Sequence, residues 1–334
     1  MHSDSILNNK YTIHKKLGSG AFGKVYLGRN IYTKEYVAIK TEKIIEPVKT
    51  KYDNTPLTRE FKVYKRLKKE NEHKKKEIME ILNKSSFHID PSNVDTSNLI
   101  NIPKIFDFYR NDKKIITIED KQYHKYQQYM VMELMGPNLE KLFDKNHRKF
   151  PYINVCSMGY QMIKLIEYIH NIGWLHRDIK PENFVVGYEE KNQKKVYLLD
   201  FGLSRKWEEL VDKYNDFYTS STNSIVGTAR YMSINVHKGL PYSWRDDLES
   251  IGYVLIYFVK GRLPWQGLKK KDNKSQMKSI LDVKIKSYKT LCDDLPRELK
   301  DYMEYCWNLR IDDAPNYVYL KQLFLNKVKK LSVS

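Results

Sequence analysis

The sequence is poor in cysteine, glycine and proline and has no long apolar run, and each shortage excludes a class of protein. The three cysteines, Cys156, Cys292 and Cys306, form no CxxC pair, so we predict reduced thiols rather than disulfides or a zinc site. With 14 Gly and 11 Pro in 334 residues, the chain is neither fibrous nor wholly disordered. The longest apolar stretch, near residues 251–259, is well short of the roughly 20 residues that a membrane-spanning helix needs.

Acidic residues are also in the minority, with 41 Asp and Glu against 59 Lys and Arg, which leaves a net charge of +18. The excess is concentrated in residues 62–84, with nine Lys and Arg against four Glu, and in residues 269–289, with eight Lys against two Asp. Such a field attracts acidic or phosphorylated peptides, nucleic acid or anionic lipid, and charge alone does not choose among them. In residues 62–84 the interleaved glutamates favour a solvated helix face.

The N-terminal sequence is informative about where in the cell the protein is located. Residues 1–20 have no apolar block of the signal-peptide kind. Together with the expected free thiols, this predicts a cytoplasmic location, with a nuclear one left open.

The pattern along the chain predicts a strand-rich part followed by a helical part. Alternating apolar positions in residues 11–40 predict strands joined by tight turns, and residues 57–69 have the spacing of a helix. The polar stretch 70–100 is interpreted as an inserted helix followed by a loop, and residues 111–127 as a second insertion or an extended hairpin. After Pro137 the pattern is mostly helical.

A glycine cluster lies within the strand-rich part. Gly18, Gly20, Gly23 and Val25 match GxGxxGxV, which by itself is a weak signal. A dinucleotide-binding fold would need a helix directly after the last glycine, whereas here an alternating pattern continues. The sequence therefore favours a β-hairpin whose backbone N–H groups approach phosphates, with Lys40 one strand later.

The stretch HRDIKPEN, residues 176–183, is a sharper signal. It places the carboxylate of Asp178, the ammonium of Lys180 and the carboxamide of Asn183 within six residues, and the triplet DFG follows at residues 200–202. Phosphoryl transfer from ATP needs this set, because metal ions must neutralise the phosphates, a carboxylate must orient the attacking hydroxyl, and a cation must shield the moving group. The joint occurrence of these motifs predicts a phosphotransferase.

Over residues 11–330 the sequence resembles a eukaryotic protein kinase, and several segments resemble the casein kinase 1 family in particular. These segments are MELMGP at 132–137, GTARY at 227–231, SIN at 233–235 where most kinases carry Ala-Pro-Glu, RDDLES at 245–250 and LPWQGL at 263–268. The resemblance implies an α+β, bilobal protein kinase fold, with a β-rich N-lobe over about 11–135 and a mainly helical C-lobe over about 136–330. It also implies a monomeric, Mg²⁺-ATP-dependent serine/threonine protein kinase.

The resemblance also implies a role for each motif residue. The residues implied to surround ATP are Leu17, Gly18, Ser19, Gly20, Ala21, Phe22, Gly23, Val25, Ala38, Lys40, Met132, Glu133 and Met135. The implied catalytic residues are Asp178, Lys180, Lys40 and Glu60, and the implied Mg²⁺ ligands are Asn183 and Asp200. In these roles Lys40 pairs with Glu60, Asp178 orients the substrate hydroxyl, and Lys180 stabilises the phosphoryl group and favours Ser/Thr acceptors. Asp247 is expected to anchor the catalytic loop.

The family's substrates are acidic or already phosphorylated, and residues of this chain match part of that pattern. Arg230 and Gly267 match the anion-binding positions, and a local cationic field comes from Lys269, Lys270, Lys271, Lys274 and Lys278. Asn223 and Gln276 stand where the family has lysines, so a strict requirement for a phosphorylated substrate is not implied. Hydroxyl residues within 219–224 are candidates for autophosphorylation.

Two other interpretations compete with an active kinase. A pseudokinase scaffold predicts the loss of Lys40, Asp178, Asn183 or Asp200, and all four are present. A nucleic-acid-binding module would account for the +18 charge, but the sequence has neither zinc-ligand spacing nor an RNP-like aromatic strand. We therefore expect no specific binding to nucleic acid or membrane.

His176, in the HRDIKPEN stretch, is interpreted as a packed histidine that supports its loop.

Overall fold

The computed structural model describes residues 6–20, 23–47, 55–84, 99–111, 114–118, 121–210, 226–268, 272–288 and 290–333. These residues form two compact units. Unit 1 comprises the described residues of Met1–Gly136 with Tyr188–Glu190 and Asp200–Gly202, and unit 2 comprises those of Pro137–Gly187, Lys191–Leu199 and Leu203–Ser334. The predicted limits of the kinase domain, residues 11–330, stay a prediction.

Unit 1 is built on an antiparallel sheet. Its strands are β1 (Ile6–Leu7), β2 (Tyr11–Gly20), β3 (Gly23–Asn30), β4 (Tyr36–Pro47), β5 (Ile105–Arg110), β6 (Lys114–Ile118) and β7 (Lys121–Glu133). The order is β1-β2-β3-β4-β7-β5, with β6 paired to β7. Because side chains alternate along a strand, one face buries the core residues Tyr11, Ile13, Val37, Ile39, Tyr129 and Val131. The strands predicted for residues 11–40 are thus confirmed.

The helix of unit 1 is longer than the sequence pattern predicted. A single helix, α1 (Pro56–Lys84), spans both the predicted helix 57–69 and the start of the predicted insertion. Its first half buries Leu57, Val63 and Leu67. In its second half the side chains of residues 72, 73, 75–77 and 80 are exposed, and the sequence there contains neither Gly nor Pro. The ion pair between Lys68 and Glu72, 3.9 Å apart, joins residues one turn apart. Residues 85–98 lie outside the described part.

The second predicted insertion is an extended hairpin. β6 and β7 pair from Lys114 opposite Lys125 to Ile118 opposite Lys121. Residues 112–113 and 119–120 of this hairpin are outside the described part. β7 also pairs with β4 from Val37 to Pro47, so the insertion extends the sheet rather than forming a separate element.

Unit 2 is mainly helical. Its helices are α2 (Leu139–Lys145), α3 (Tyr152–Asn171), α4 (Ile234–His237), α5 (Trp244–Lys260), α6 (Asn273–Ser287), α7 (Arg297–Asn308) and α8 (Tyr317–Val333). Strand β8 (Met135–Asn138) precedes them, and the remaining short strands are β9 (Trp174–Leu175), β10 (Phe184–Gly187), β11 (Val196–Leu198) and β12 (Arg205–Lys206). β9 pairs with β12 and β10 with β11.

Helix α5 is buried along most of its length in unit 2. All residues from 246 to 258 are buried, and the first turn carries the acidic pair Asp246 and Asp247, which suits the positive end of the helix dipole. Ser243 and Asp246 form a capping box, and Gly261 ends the helix with a φ of 79°. No helix among the described residues has the length and apolar character required to span a membrane.

Candidate active site

The glycine cluster forms the turn end of the β2–β3 hairpin in unit 1. Gly18 lies opposite Val25, and Gly20 lies opposite Gly23. Gly23 has a φ of 149°, and a Cβ there would lie 1.9 Å from the Thr41 carbonyl oxygen, so only glycine fits. A Cβ on Gly18 or Gly20 would have nothing within 4 Å, which leaves their backbone open to a ligand. Ala21 and Phe22 are outside the described residues.

The sheet register places four of the residues implied to surround ATP on one face. Val25 lies opposite Lys40, and Ala38 lies opposite Met132. Directly opposed residues share a face, as do residues two apart, so these four side chains project from the same side of the sheet. This face therefore combines an apolar surface with a single ammonium group, and Leu17, 40 % exposed, precedes it on β2.

Lys40 is the centre of a charged cluster within unit 1. Its Nζ lies 2.5 Å from Glu60 Oε2 on α1 and 2.9 Å from Asp200 Oδ1. Burial opposes a charge on Lys40, but Glu60 and Asp200 together raise its pKa above the usual value. Burial also raises the pKa of the Glu60 carboxyl to about 7, and the Lys40 ammonium limits that rise. The predicted pairing of Lys40 with Glu60 is thus present.

Helix α1 also holds the DFG triplet. The Arg59 guanidinium donates to the Gly202 carbonyl oxygen, and the Tyr64 ring packs edge-on against the Phe201 ring at 5.1 Å. Asp200 has a φ of 66°, a strained conformation for a residue with a Cβ, and these flanking contacts hold it. The sequence pattern did not assign this role to Arg59 and Tyr64, because a bond to a backbone carbonyl far along the chain leaves no mark in local sequence.

At the end of β7, Glu133 is bonded to Lys104 through both its backbone and its side chain. The Glu133 N–H donates to the Lys104 carbonyl at 2.8 Å, and the Lys104 N–H donates to the Glu133 carboxylate at 3.0 Å. The Glu133 N–H is therefore not available to a nucleotide base. Met135 begins β8 two residues later.

A second polar cluster lies in unit 2 around Asp178. Lys180 Nζ lies 2.5 Å from Asp178 Oδ2, and the Thr228 hydroxyl donates to Asp178 Oδ1 at 2.8 Å. Asn183 donates from its amide nitrogen to the Asp178 carbonyl at 2.8 Å, so its Oδ1 is the atom left to ligate a cation. The sequence interpretation missed Thr228, whose bond brings GTARY to the predicted catalytic carboxylate of Asp178.

The buried carboxylate of Asp247 accepts hydrogen bonds from the loop that carries Asp178. The N–H groups of His176 and Arg177 donate to the two oxygens of Asp247 at 2.8 and 2.9 Å. Burial disfavours the charge of Asp247, yet its bonds with His170 and other neighbours lower its pKa below the usual value. His176 is fully buried and contacts the Leu199 carbonyl at 3.1 Å, so its predicted packed, supporting role is confirmed.

Arg230 and Gly267, the predicted anion-binding residues, lie in two segments that are joined by a hydrogen bond to a backbone carbonyl. Arg230 is half-buried, with its guanidinium 5.7 Å from the centre of the Tyr231 ring. The Trp265 indole donates to the Arg230 carbonyl at 2.7 Å, which connects the LPWQGL turn to Arg230. Gly267 has a φ of 82° and open space at its Cβ position. Lys274 and Lys278 are exposed on α6, whereas residues 269–271 and 219–224 are outside the described part.

A model of the protein kinase domain family matches residues 100–322. This range is well over half of the chain, so the protein belongs to the protein kinase domain family. It is therefore a phosphotransferase that binds ATP, and the predicted bilobal, α+β protein kinase fold is confirmed. The match begins after the glycine hairpin, Lys40 and Glu60, so those residues are supported by sequence motif and geometry separately from it.

Proposed function

We propose that this kinase is of the casein kinase 1 type and transfers the γ-phosphoryl group of Mg²⁺-ATP to serine and threonine hydroxyls. The observation that carries the proposal is the bond from the Thr228 hydroxyl to Asp178 at 2.8 Å. An aliphatic hydroxyl of the kind a Ser or Thr substrate presents already donates to this carboxylate. The Lys180 ammonium, 2.5 Å from the same carboxylate, offers the cation that phosphoryl transfer needs.

The casein kinase 1 assignment depends on SIN at 233–235 and LPWQGL at 263–268. In the structure, residues of both motifs form hydrogen bonds with other elements of unit 2. Ser233 and Ile234 bond to acidic residues of α5, and Trp265 bonds to Arg230.

The described residues suit Mg²⁺ as a partner of ATP. Mg²⁺ commonly binds one or two protein oxygens together with substrate phosphates, and does not need a cage made wholly of protein. Asp200 and Asn183 each offer an oxygen of the required kind. Bound Mg²⁺ would neutralise phosphate charge.

The main test is incubation with labelled ATP, Mg²⁺ and casein, followed by analysis of the phosphorylated amino acids. We expect phosphoserine and phosphothreonine. The Asp178→Asn variant should bind ATP as the wild type does but transfer phosphoryl groups at least about a hundredfold more slowly, since it loses the carboxylate that orients the hydroxyl.

The matched control is Asp144→Asn, because Asp144 is an exposed carboxylate of unit 2 whose ion-pair partner is Arg148. It should keep wild-type activity. Unchanged turnover in Asp178→Asn would contradict the role of Asp178, and phosphotyrosine as the main product would contradict the Ser/Thr assignment.

We propose further that acidic residues in the substrate improve phosphorylation, because Arg230 lies in the same segment as Thr228, and because Lys274 and Lys278 are exposed on α6. Two peptides that differ only in Asp against Asn near the target serine measure this preference. We expect about a tenfold higher kcat/KM for the acidic peptide, as for one charge-assisted contact.

Arg230→Gln should reduce this ratio, and Arg297→Gln, at an exposed arginine on α7, should not. Equal rates for the two peptides with the wild type would refute the preference. We also propose a cytoplasmic monomer, which light scattering and cell fractionation would test.

A further inference from the structure

Buried side chains hold the backbone of residues 227–234, which we call the acceptor segment. Lys284 Nζ donates to the carbonyls of Ala229, at 2.9 Å, and Met232, at 2.5 Å, and Trp265 Nε1 donates to the carbonyl between them. The Ile234 N–H donates to Glu249 at 2.8 Å. Residues 227–233, which form neither helix nor strand, and Ile234 at the start of α4 are thus fixed by donors and acceptors from α5, α6 and the LPWQGL turn.

Lys284 is unusual among these residues because it is a lysine with only 1 % of its surface exposed. Lysine is rarely buried without compensation. Here the compensation is two carbonyl oxygens and two aromatic faces, with Nζ 5.0 Å from the ring centres of both Tyr253 and Trp265. The titratable groups around it are Glu249 of α5 and His237 of α4.

Hydrogen bonds of Thr228 connect the turn that Lys284 holds to the Asp178 cluster. The N–H groups of Tyr231 and Met232 donate to the Thr228 carbonyl at 3.0 and 3.1 Å, so the carbonyls that Lys284 holds belong to the same turn as Thr228. Thr228 in turn donates to Asp178 through both its hydroxyl and its N–H. Release of the turn would displace Thr228 and Arg230 together.

We infer that Lys284 is a positioning residue that sets the geometry of the acceptor segment, and therefore the affinity for the protein substrate. The inference rests on the proposed function, because it assigns the acceptor segment to substrate binding. All the contacts given above for Lys284 lie in unit 2, whereas the Lys40 cluster lies in unit 1. Its loss should therefore change the KM for peptide and leave the KM for ATP unchanged.

The first test compares the wild type with Lys284→Met, which keeps the length of the side chain and removes its donors. We expect the KM for an acidic peptide to rise about tenfold, the effect of losing one charged hydrogen bond, with the KM for ATP within about twofold of wild type. The control is Tyr302→Phe, which removes another buried donor to a backbone carbonyl, that of Leu248 at 2.9 Å. It should leave both KM values unchanged.

The second test does not depend on catalysis. Hydrogen exchange followed by mass spectrometry should show faster exchange of the Tyr231 and Met232 N–H groups in Lys284→Met, and no change there in Tyr302→Phe. Trp265→Phe removes the indole donor to Arg230 and part of the ring beside Lys284 Nζ, so it supplies the same two readouts if Lys284→Met does not fold. Trp265→Phe should raise the KM for the acidic peptide and speed the exchange of the Tyr231 and Met232 N–H groups, each by a smaller factor than Lys284→Met.

The outcomes separate the two proposals. Unchanged exchange and unchanged peptide KM in the folded variants would overturn the role of Lys284 while leaving the kinase assignment intact. Equal rises in the KM for peptide and for ATP would also overturn it, since the effect would then be general. Faster exchange in a protein whose wild type phosphorylates no serine or threonine would support the role of Lys284 in positioning the segment and refute its assignment to substrate binding.

Discussion

The glycine hairpin of unit 1 and the acceptor segment of unit 2 are both turns with proposed ligand contacts, and the protein supports them in opposite ways. At Gly18 and Gly20 the space around the backbone is open, with no atom within 4 Å of a Cβ position. In the acceptor segment three carbonyls accept bonds from buried Lys284 and Trp265. Within the described residues, strand pairing thus supports the hairpin, whereas buried side chains from other elements support the segment.

The contrast suits the two ligands that a protein kinase binds. Phosphate groups are small and highly charged, and backbone N–H groups in an open turn can approach them closely. A protein substrate must present one hydroxyl in a defined place, and placement within about an ångström strongly affects rate. Rigid support is therefore expected where the hydroxyl is positioned, and open backbone where the phosphates bind.

The largest effect should follow from removing the support beneath the catalytic loop. Asp247→Ala leaves the N–H groups of His176 and Arg177, the Tyr242 hydroxyl and His170 without their acceptor. Such a break in a buried network costs about 3–5 kcal/mol. Urea unfolding followed by tryptophan fluorescence measures the loss.

Asp144→Ala, at an exposed carboxylate, is the control and should cost about 0.5 kcal/mol. If Asp247→Ala were no more destabilising than this control, the catalytic loop would not depend on α5, and the contrast between the two regions would be lost.

A smaller effect should separate glycines within the hairpin itself. Gly23→Ala places a Cβ against the Thr41 carbonyl in a backbone conformation that alanine avoids, and we expect a loss of about 3 kcal/mol in the free energy of unfolding. Gly20→Ala should change stability by less than about 0.5 kcal/mol, because the added methyl meets nothing.

The two glycine variants also differ in what they report about the ligand. If phosphates approach the backbone at Gly20, Gly20→Ala should raise the KM for ATP while the fold stays intact. Equal destabilisation by the two variants would show that the hairpin is not open at Gly20.

The smallest effect concerns pH and a buried histidine beside Lys284. Burial and the Lys284 charge lower the pKa of His237 to about 4 from an ordinary value near 6.5. The unfolded state therefore binds the proton more readily, so this contribution to stability is complete above about pH 6.5 and is lost as the pH falls toward 4.

Compared with His237→Gln, the wild type should lose about 2 kcal/mol more of its free energy of unfolding between pH 7 and pH 4.5. Parallel pH profiles for the two proteins, measured by urea unfolding, would mean that His237 is not held neutral.

Much of the site could be predicted from sequence, because its residues stand in short motifs. The motif residues Lys40, Asp178, Lys180, Asn183 and Asp200 were found in this way, and the structure places them in two clusters, one in each unit. The extended hairpin near residues 111–127 was among the predicted alternatives, whereas the fusion of two predicted helices into α1 was not. No break in residues 69–71 required two helices, and exposed ion pairs favour continuation.

Residue chemistry and local spacing thus predict which groups carry phosphoryl transfer and which strands and helices present them, since both are properties of neighbours in the chain. The supports in Arg59, Thr228, Trp265 and Lys284 come from folding alone. Their partners are a carboxylate and backbone carbonyls 35 to 143 residues away, and a carbonyl is the same group at every position. No sequence pattern distinguishes the carbonyl that will be bound, so the path of the chain in three dimensions selects it.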